Sequence, residues 1–125
     1  MNTIKDTILV VDDSSVNNLL LQDILSAQGY NVILASDGPS AIEMAKRNSP
    51  KLIFLDIMMP GMNGFEVYEL LKEEADGEEE PVVIMLTARN EQQDKIQAEK
   101  LGAVEYMVKP IKIQEIINVV EKYLS

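Results

Sequence analysis

Four short stretches of this chain hold residue types that can do chemistry together. Asp12 and Asp13 follow the apolar run Ile8-Leu9-Val10-Val11, Asp56 follows Leu52-Ile53-Phe54-Leu55, Thr87 follows Val82 to Leu86, and Lys109-Pro110 follows Val104 to Val108. Three carboxylates crowded together repel one another and push a carboxyl pKa upward unless a cation neutralises them. Mg2+ is the natural cation, because it takes oxygen ligands, prefers few protein carboxylates and keeps positions for water or phosphate oxygens. With a metal and a lysine present, one aspartate can stay ionised and attack phosphorus. Thr87 could then donate to one phosphoryl oxygen and Lys109 could pair with a second.

The elements that must position these residues alternate from end to end. Ile8 to Val11 reads as a strand buried on both faces, and Val16, Leu19, Leu20 and Ile24 recur at helical spacing until Gly29. Val32 to Ala35 is a second strand, and Gly38-Pro39 opens a helix to about Arg47. Leu52 to Leu55 is a third strand. Met59 to Gly64 is a turn-rich loop, and Asn63 with Glu66 forms a capping-box pattern for a helix from about Phe65 to Ala75. Val82 to Leu86 is a fourth strand, followed by a helix over about Asn90 to Lys100 whose apolar stripe is thin, with Ile96 and Leu101 its main members. Val104 to Val108 is a fifth strand, and Ile113, Ile116, Ile117, Val120 and Leu124 make an amphipathic closing helix. Five strand–helix units without a linker or repeat indicate one α/β domain with a parallel sheet. In such a sheet the strand ends share one rim, so the three carboxylates, the hydroxyl and the lysine converge there.

Composition narrows the chemistry further. The 125 residues are 46% hydrophobic and 26% charged, the proportions of one ordinary soluble domain. The absence of Cys removes disulfides, thiolate zinc sites and thiol nucleophiles, and the absence of His removes the usual general base and any histidine phosphoryl carrier. A net charge of −10 repels nucleic acid and anionic membranes, so direct nucleic-acid binding is not expected. Glu73, Glu74, Asp76, Glu78, Glu79 and Glu80 concentrate much of that charge in what reads as a solvated loop. Neither a membrane span nor a signal peptide's apolar core is present, and the expected location is cytoplasmic.

Each candidate also has a plainer reading. Asp12 and Asp13 could cap the first helix, Thr87 could be a turn residue, Lys109 a surface lysine and Pro110 a helix-starting proline. Asp56 resists such a reading, because it follows four large apolar residues and should be partly buried.

At these positions the sequence resembles the receiver domain of two-component response regulators. The resemblance runs through Ile8 to Asp13, Leu55-Asp56-Ile57-Met58-Met59-Pro60-Gly61-Met62-Asn63-Gly64, Thr87-Ala88, Gly102-Ala103 and Lys109-Pro110, and covers nearly the whole chain in order. It implies a flavodoxin-like (βα)5 three-layer sandwich with a parallel five-stranded sheet in order 2-1-3-4-5, residues 1–125 forming a single receiver domain. It implies Asp56 as phosphoacceptor, Asp12 and Asp13 as the metal-binding pair, and the Met58 backbone carbonyl as completing a Mg2+ site with Asp56. Thr87 would follow the phosphoryl group, Lys109 would pair with it, Tyr106 would be the aromatic switch residue, and the Lys109-Pro110 bond would be cis. Met58 and Arg89 would flank the path of the hydrolytic water, and Asn17 is similar to the residue found in receivers of hybrid kinases and single-domain relays.

The function implied is a phosphorylation-controlled switch rather than an enzyme with an external substrate, one that assists its own phosphorylation and dephosphorylation. Its donor would be a histidine kinase or histidine phosphotransfer protein. Its downstream protein target would bind the face formed by the fourth helix, fifth strand and fifth helix. The chain would be either a stand-alone regulator or a receiver cut from a longer protein. Two other classes compete. A haloacid-dehalogenase-type aspartyl phosphatase needs a second aspartate two residues after the nucleophile, where this chain has Met58. A flavin-binding flavodoxin relative needs a Ser/Thr/Gly-rich loop where Asp12 to Val16 stands.

Overall fold

Short β-branched and aliphatic runs form strands here because helices can cover both of their faces. The computed structural model describes residues 6–75, 80–88 and 92–124. Within them the chain alternates β1 (Thr7–Val11), α1 (Ser15–Ala27), β2 (Asn31–Ala35), α2 (Gly38–Asn48), β3 (Leu52–Asp56), α3 (Gly64–Ala75), β4 (Val82–Thr87), α4 (Gln92–Leu101), β5 (Glu105–Val108) and α5 (Ile113–Leu124). The strands are parallel and lie in the order β2-β1-β3-β4-β5.

The two-residue period of a strand sends alternate side chains to opposite faces, and two cores result. Ile8, Val10, Phe54, Ile84 and Leu86 pack under α1 and α5 with Leu21, Leu25, Ile116 and Val120. Leu9, Val11, Ile53, Leu55 and Met85 pack under α2, α3 and α4 with Ala41, Val67, Leu71 and Ala98. This is a three-layer α/β/α sandwich. Its sheet order reverses direction at β1, between β2 and β3, which opens a crevice at the carboxyl ends of β1 and β3.

Local signals set the helix starts. Asp37 accepts from the Ser40 N–H ahead of α2, with Pro39 in the first turn. Asn63 and Glu66 exchange bonds of 3.3 and 3.0 Å as the capping box requires. The Lys109-Pro110 bond is cis.

Three expectations are corrected. Of the α1 repeat, only Ile24 is buried; Val16, Leu19 and Leu20 are 73%, 53% and 49% exposed. The inward face is Asn18, Leu21, Ile24 and Leu25, a stripe interrupted by a polar residue and therefore invisible to an apolar repeat. In α4 the anchor is Ala98 rather than Ile96, which is 43% exposed, so a small side chain makes the close approach. Ile113 of α5 is likewise exposed; Thr87 closes β4 as Asp56 closes β3. Part of the acidic run, at 76–79, lies outside the described residues, as do Arg89 and Asn90.

Candidate functional site

The crevice gathers the acidic residues. Asp12, immediately after β1, is fully buried, Asp56 ends β3 at 2% exposure, and Asp13 is exposed at the mouth. One carboxylate oxygen from each of the three lies within 4.8 Å of the others. That donor set fits a hard divalent cation, which takes oxygen ligands and offsets the mutual repulsion.

Asp12 is held from several sides. Its Oδ1 accepts from the Ser14 N–H at 2.9 Å, and its Oδ2 accepts from Lys109 Nζ at 2.6 Å and from Asn17 Nδ2 at 3.3 Å. Its main-chain oxygen accepts from Asn18 Nδ2 at 2.9 Å. Ser14 is also the N-cap of α1, its hydroxyl accepting from the Asn17 N–H. The first turn of α1 is therefore built around Asp12.

Asp56 is placed by its strand and by the loop behind it. Its Oδ1 accepts from the Met58 N–H at 3.3 Å and lies 3.5 Å from Lys109 Nζ. The loop folds back so that the Gly64 N–H reaches the Ile57 carbonyl at 3.0 Å. A Cβ at Gly64 would stand 2.5 Å from the Asp56 carbonyl oxygen and 2.8 Å from Ile57 Cα, so only glycine lets α3 begin this close. Burial pushes the Asp56 carboxyl up to about 6, helped by the Asp12 charge and opposed by Lys109 and the Met58 N–H.

Lys109 reaches the crevice from the end of β5, where its N–H donates to the Thr87 carbonyl at 2.7 Å. Thr87 is fully buried, one residue beyond Leu86, the register partner of Asp56. Tyr106 is not among the carboxylates. It pairs with Met85 two residues earlier in the β4 register and packs, partly buried, on the core shared with α4. Met58 is 47% exposed at the mouth.

A cleft of about 320 Å³ opens beside Asp12, lined by Asn17, Leu20, Leu21, Lys109, Pro110 and Ile111 among others. A larger one of about 450 Å³, with Lys46, Lys51, Glu74, Val82 and Tyr123 on its walls, lies at the other end of the sheet and holds none of the crevice residues. The structure thus joins Asp12, Asp13, Asp56 and Lys109, and sets Thr87 one strand away. The holding roles of Ser14, Asn17, Asn18 and Gly64 escape a reading of strand ends. For the first three the signal is Ser14 directly after the acidic pair with the amides Asn17 and Asn18 in the turn that follows, and for Gly64 it is its place closing the turn-rich loop from Met59.

Residues 8–121 match the family model of the response regulator receiver domain. The response regulator PleD of Caulobacter vibrioides is 46% identical over 104 residues, which cover 83% of this chain and 23% of PleD. Protein PilH of Pseudomonas aeruginosa is 30% identical over 118 residues, covering 94% of this chain and 97% of PilH. The solved structure of Vibrio cholerae chemotaxis protein CheY4 superposes with a TM-score of 0.89 at 27% identity, covering 96% of this chain and 99% of that one. The chain spans less than half the length of several curated relatives it matches, PleD among them. Among the described residues no helix is long and apolar enough to cross a membrane.

Proposed function

This chain belongs to the family of response regulator receiver domains, and from that premise we propose that residues 1–125 form one such domain, in which Asp56 receives a phosphoryl group from the phosphohistidine of a kinase or phosphotransfer protein. The chain is a phosphorylation switch with the fold of its chemotaxis-protein relatives, not an aspartyl phosphatase. The observation that carries the assignment to Asp56 is its buried carboxylate between Asp12, Asp13 and Lys109.

A carboxylate oxygen of Asp56 forms the new bond to phosphorus as the bond from phosphorus to the donor's imidazole nitrogen breaks. The electron pair stays on that nitrogen, which takes up a proton. Asp12, Asp13, Asp56 and the Met58 carbonyl would hold Mg2+, which when bound neutralises charge on the phosphoryl oxygens. Lys109, 3.5 Å from Asp56, pairs with one phosphoryl oxygen, and the Thr87 hydroxyl donates to another. Assisted hydrolysis of the same bond would return the switch to rest.

Movement of Thr87 frees space for Tyr106, whose ring lies on the core shared with α4. Ile96, Val104, Val108 and Ile113 leave apolar side chains exposed along α4, β5 and α5, and a downstream protein target would bind that face. The switch works in the cytoplasm, where donors made from ATP are available, and binds neither nucleic acid nor membrane directly.

The test is incubation with acetyl phosphate and Mg2+ followed by intact-mass measurement. One added phosphoryl group on the parent and none on Asp56→Asn is the expected result. Equal labelling of the two proteins would overturn the assignment.

A further inference from the structure

The two oxygens of the buried Asp12 carboxylate are unequally occupied. Among the described residues, Oδ2 accepts from both Lys109 Nζ at 2.6 Å and Asn17 Nδ2 at 3.3 Å, whereas Oδ1 accepts only from the Ser14 N–H. A carboxylate oxygen has two acceptor positions, so Asn17 fills Oδ2 and leaves the spare position on Oδ1.

The neighbouring amide separates the carboxylate from the backbone. Asn18 is buried in the inward stripe of α1, where Leu21, Ile24 and Leu25 are apolar, and its Nδ2 spans the Asp12 and Ala35 carbonyls at 2.9 and 3.2 Å. Its Oδ1 is buried without a hydrogen-bond partner among the described residues. Leaving a buried acceptor unpaired costs about 1–3 kcal/mol, so this amide is kept against a stability disadvantage. Asn18 thus fixes the main chain of Asp12, and the Asn17 side chain acts on the carboxylate alone.

We propose that Asn17 is a positioning residue that aims the Asp12 carboxylate at the divalent cation. The inference rests on the reading of Asp12 as a cation ligand. Lys109 pulls on Oδ2 from the end of β5, and without a second donor from α1 the carboxylate turns toward the lysine. A neutral amide does this work better than a cation would, because it orients the oxygen without repelling the metal. The Asn17 side chain bonds to Asp12, and it acts through that carboxylate.

The experiment is calorimetric titration of Mg2+ alone into the unphosphorylated parent, Asn17→Ala and Asn17→Gln. Asn17→Ala should bind Mg2+ about tenfold more weakly, the loss typical of removing a group that orients a metal ligand. Its deficit in labelling by acetyl phosphate should shrink as Mg2+ is raised, and it should still unfold cooperatively in chelator, because Asn18 still holds the backbone. Asn17→Gln, which keeps the amide on a longer stem, should recover most of the affinity. An affinity of Asn17→Ala equal to the parent, or a glutamine variant as weak as the alanine one, would overturn the proposal. A parent that binds no Mg2+ and takes no label would instead overturn the reading on which it rests.

Discussion

Lys109 sits closer to Asp12 than to the candidate phosphoacceptor, with Nζ 2.6 Å from Asp12 Oδ2 and 3.5 Å from Asp56 Oδ1. Before any phosphoryl group arrives, the lysine is the counter-ion of a fully buried carboxylate. It holds Asp56 only at longer range. A single cation thus bridges two anions, and any new charge on Asp56 changes how it is shared.

Replacing that cation should act on both partners. In Lys109→Met the Asp56 carboxyl loses one of the two influences that hold it down and should titrate higher than about 6. Carboxyl-carbon NMR of the metal-free protein checks this, and an unshifted or lower midpoint would contradict it. Labelling by acetyl phosphate should fall by about a hundredfold, the usual loss on removing one charged group from a transition-state site.

Burial makes Asp56 a liability in the metal-free chain. Its folded-state pKa of about 6 lies above the ordinary 3.8, so the folded protein binds the extra proton between these values and stability falls as pH rises through that window. Asp56→Asn should therefore be more stable than the parent at neutral pH by on the order of 3 kcal/mol, with a flatter profile between about pH 4 and 6. Below that window the two should converge. Urea unfolding in chelator across the range measures it. A variant no more stable at neutral pH would show that the charge is already compensated.

The start of α3 tolerates no side chain at residue 64. Gly64→Ala places a Cβ 2.5 Å from the Asp56 carbonyl oxygen, so backbone must shift. The expected loss is about 3 kcal/mol of unfolding free energy, at the upper end for overpacking, with slower labelling because Asp56 moves too. Full stability with full labelling would mean that the loop yields cheaply.

The switch should spread from the crevice along β4 and β5. α4 is anchored by Ala98 alone among its buried residues, which makes it the easiest element to displace. Amide shifts on adding beryllofluoride and Mg2+ should reach Thr87, Tyr106 and the 92–101 helix. Shifts confined to Asp13 and Met58 would refute a coupled switch.

Apolar runs ending in Asp12, Asp56, Thr87 and Lys109 determine by themselves that a parallel sheet forms and that these residues share its rim. Strand burial and strand direction are local consequences of residue type. The receiver resemblance, carried by Leu55 to Gly64, supplied the strand order that periodicity alone does not contain. Tertiary structure decided what depends on distances across the fold. Which face of α1 turns inward follows from Asn18 bonding to carbonyls at the ends of two strands, and an apolar repeat over Val16, Leu19 and Leu20 points the other way. That Lys109 favours Asp12 follows from two residues 97 positions apart in sequence meeting at 2.6 Å. A contact of that separation leaves no period in the chain, because it is fixed by sheet register and packing rather than by neighbours in sequence.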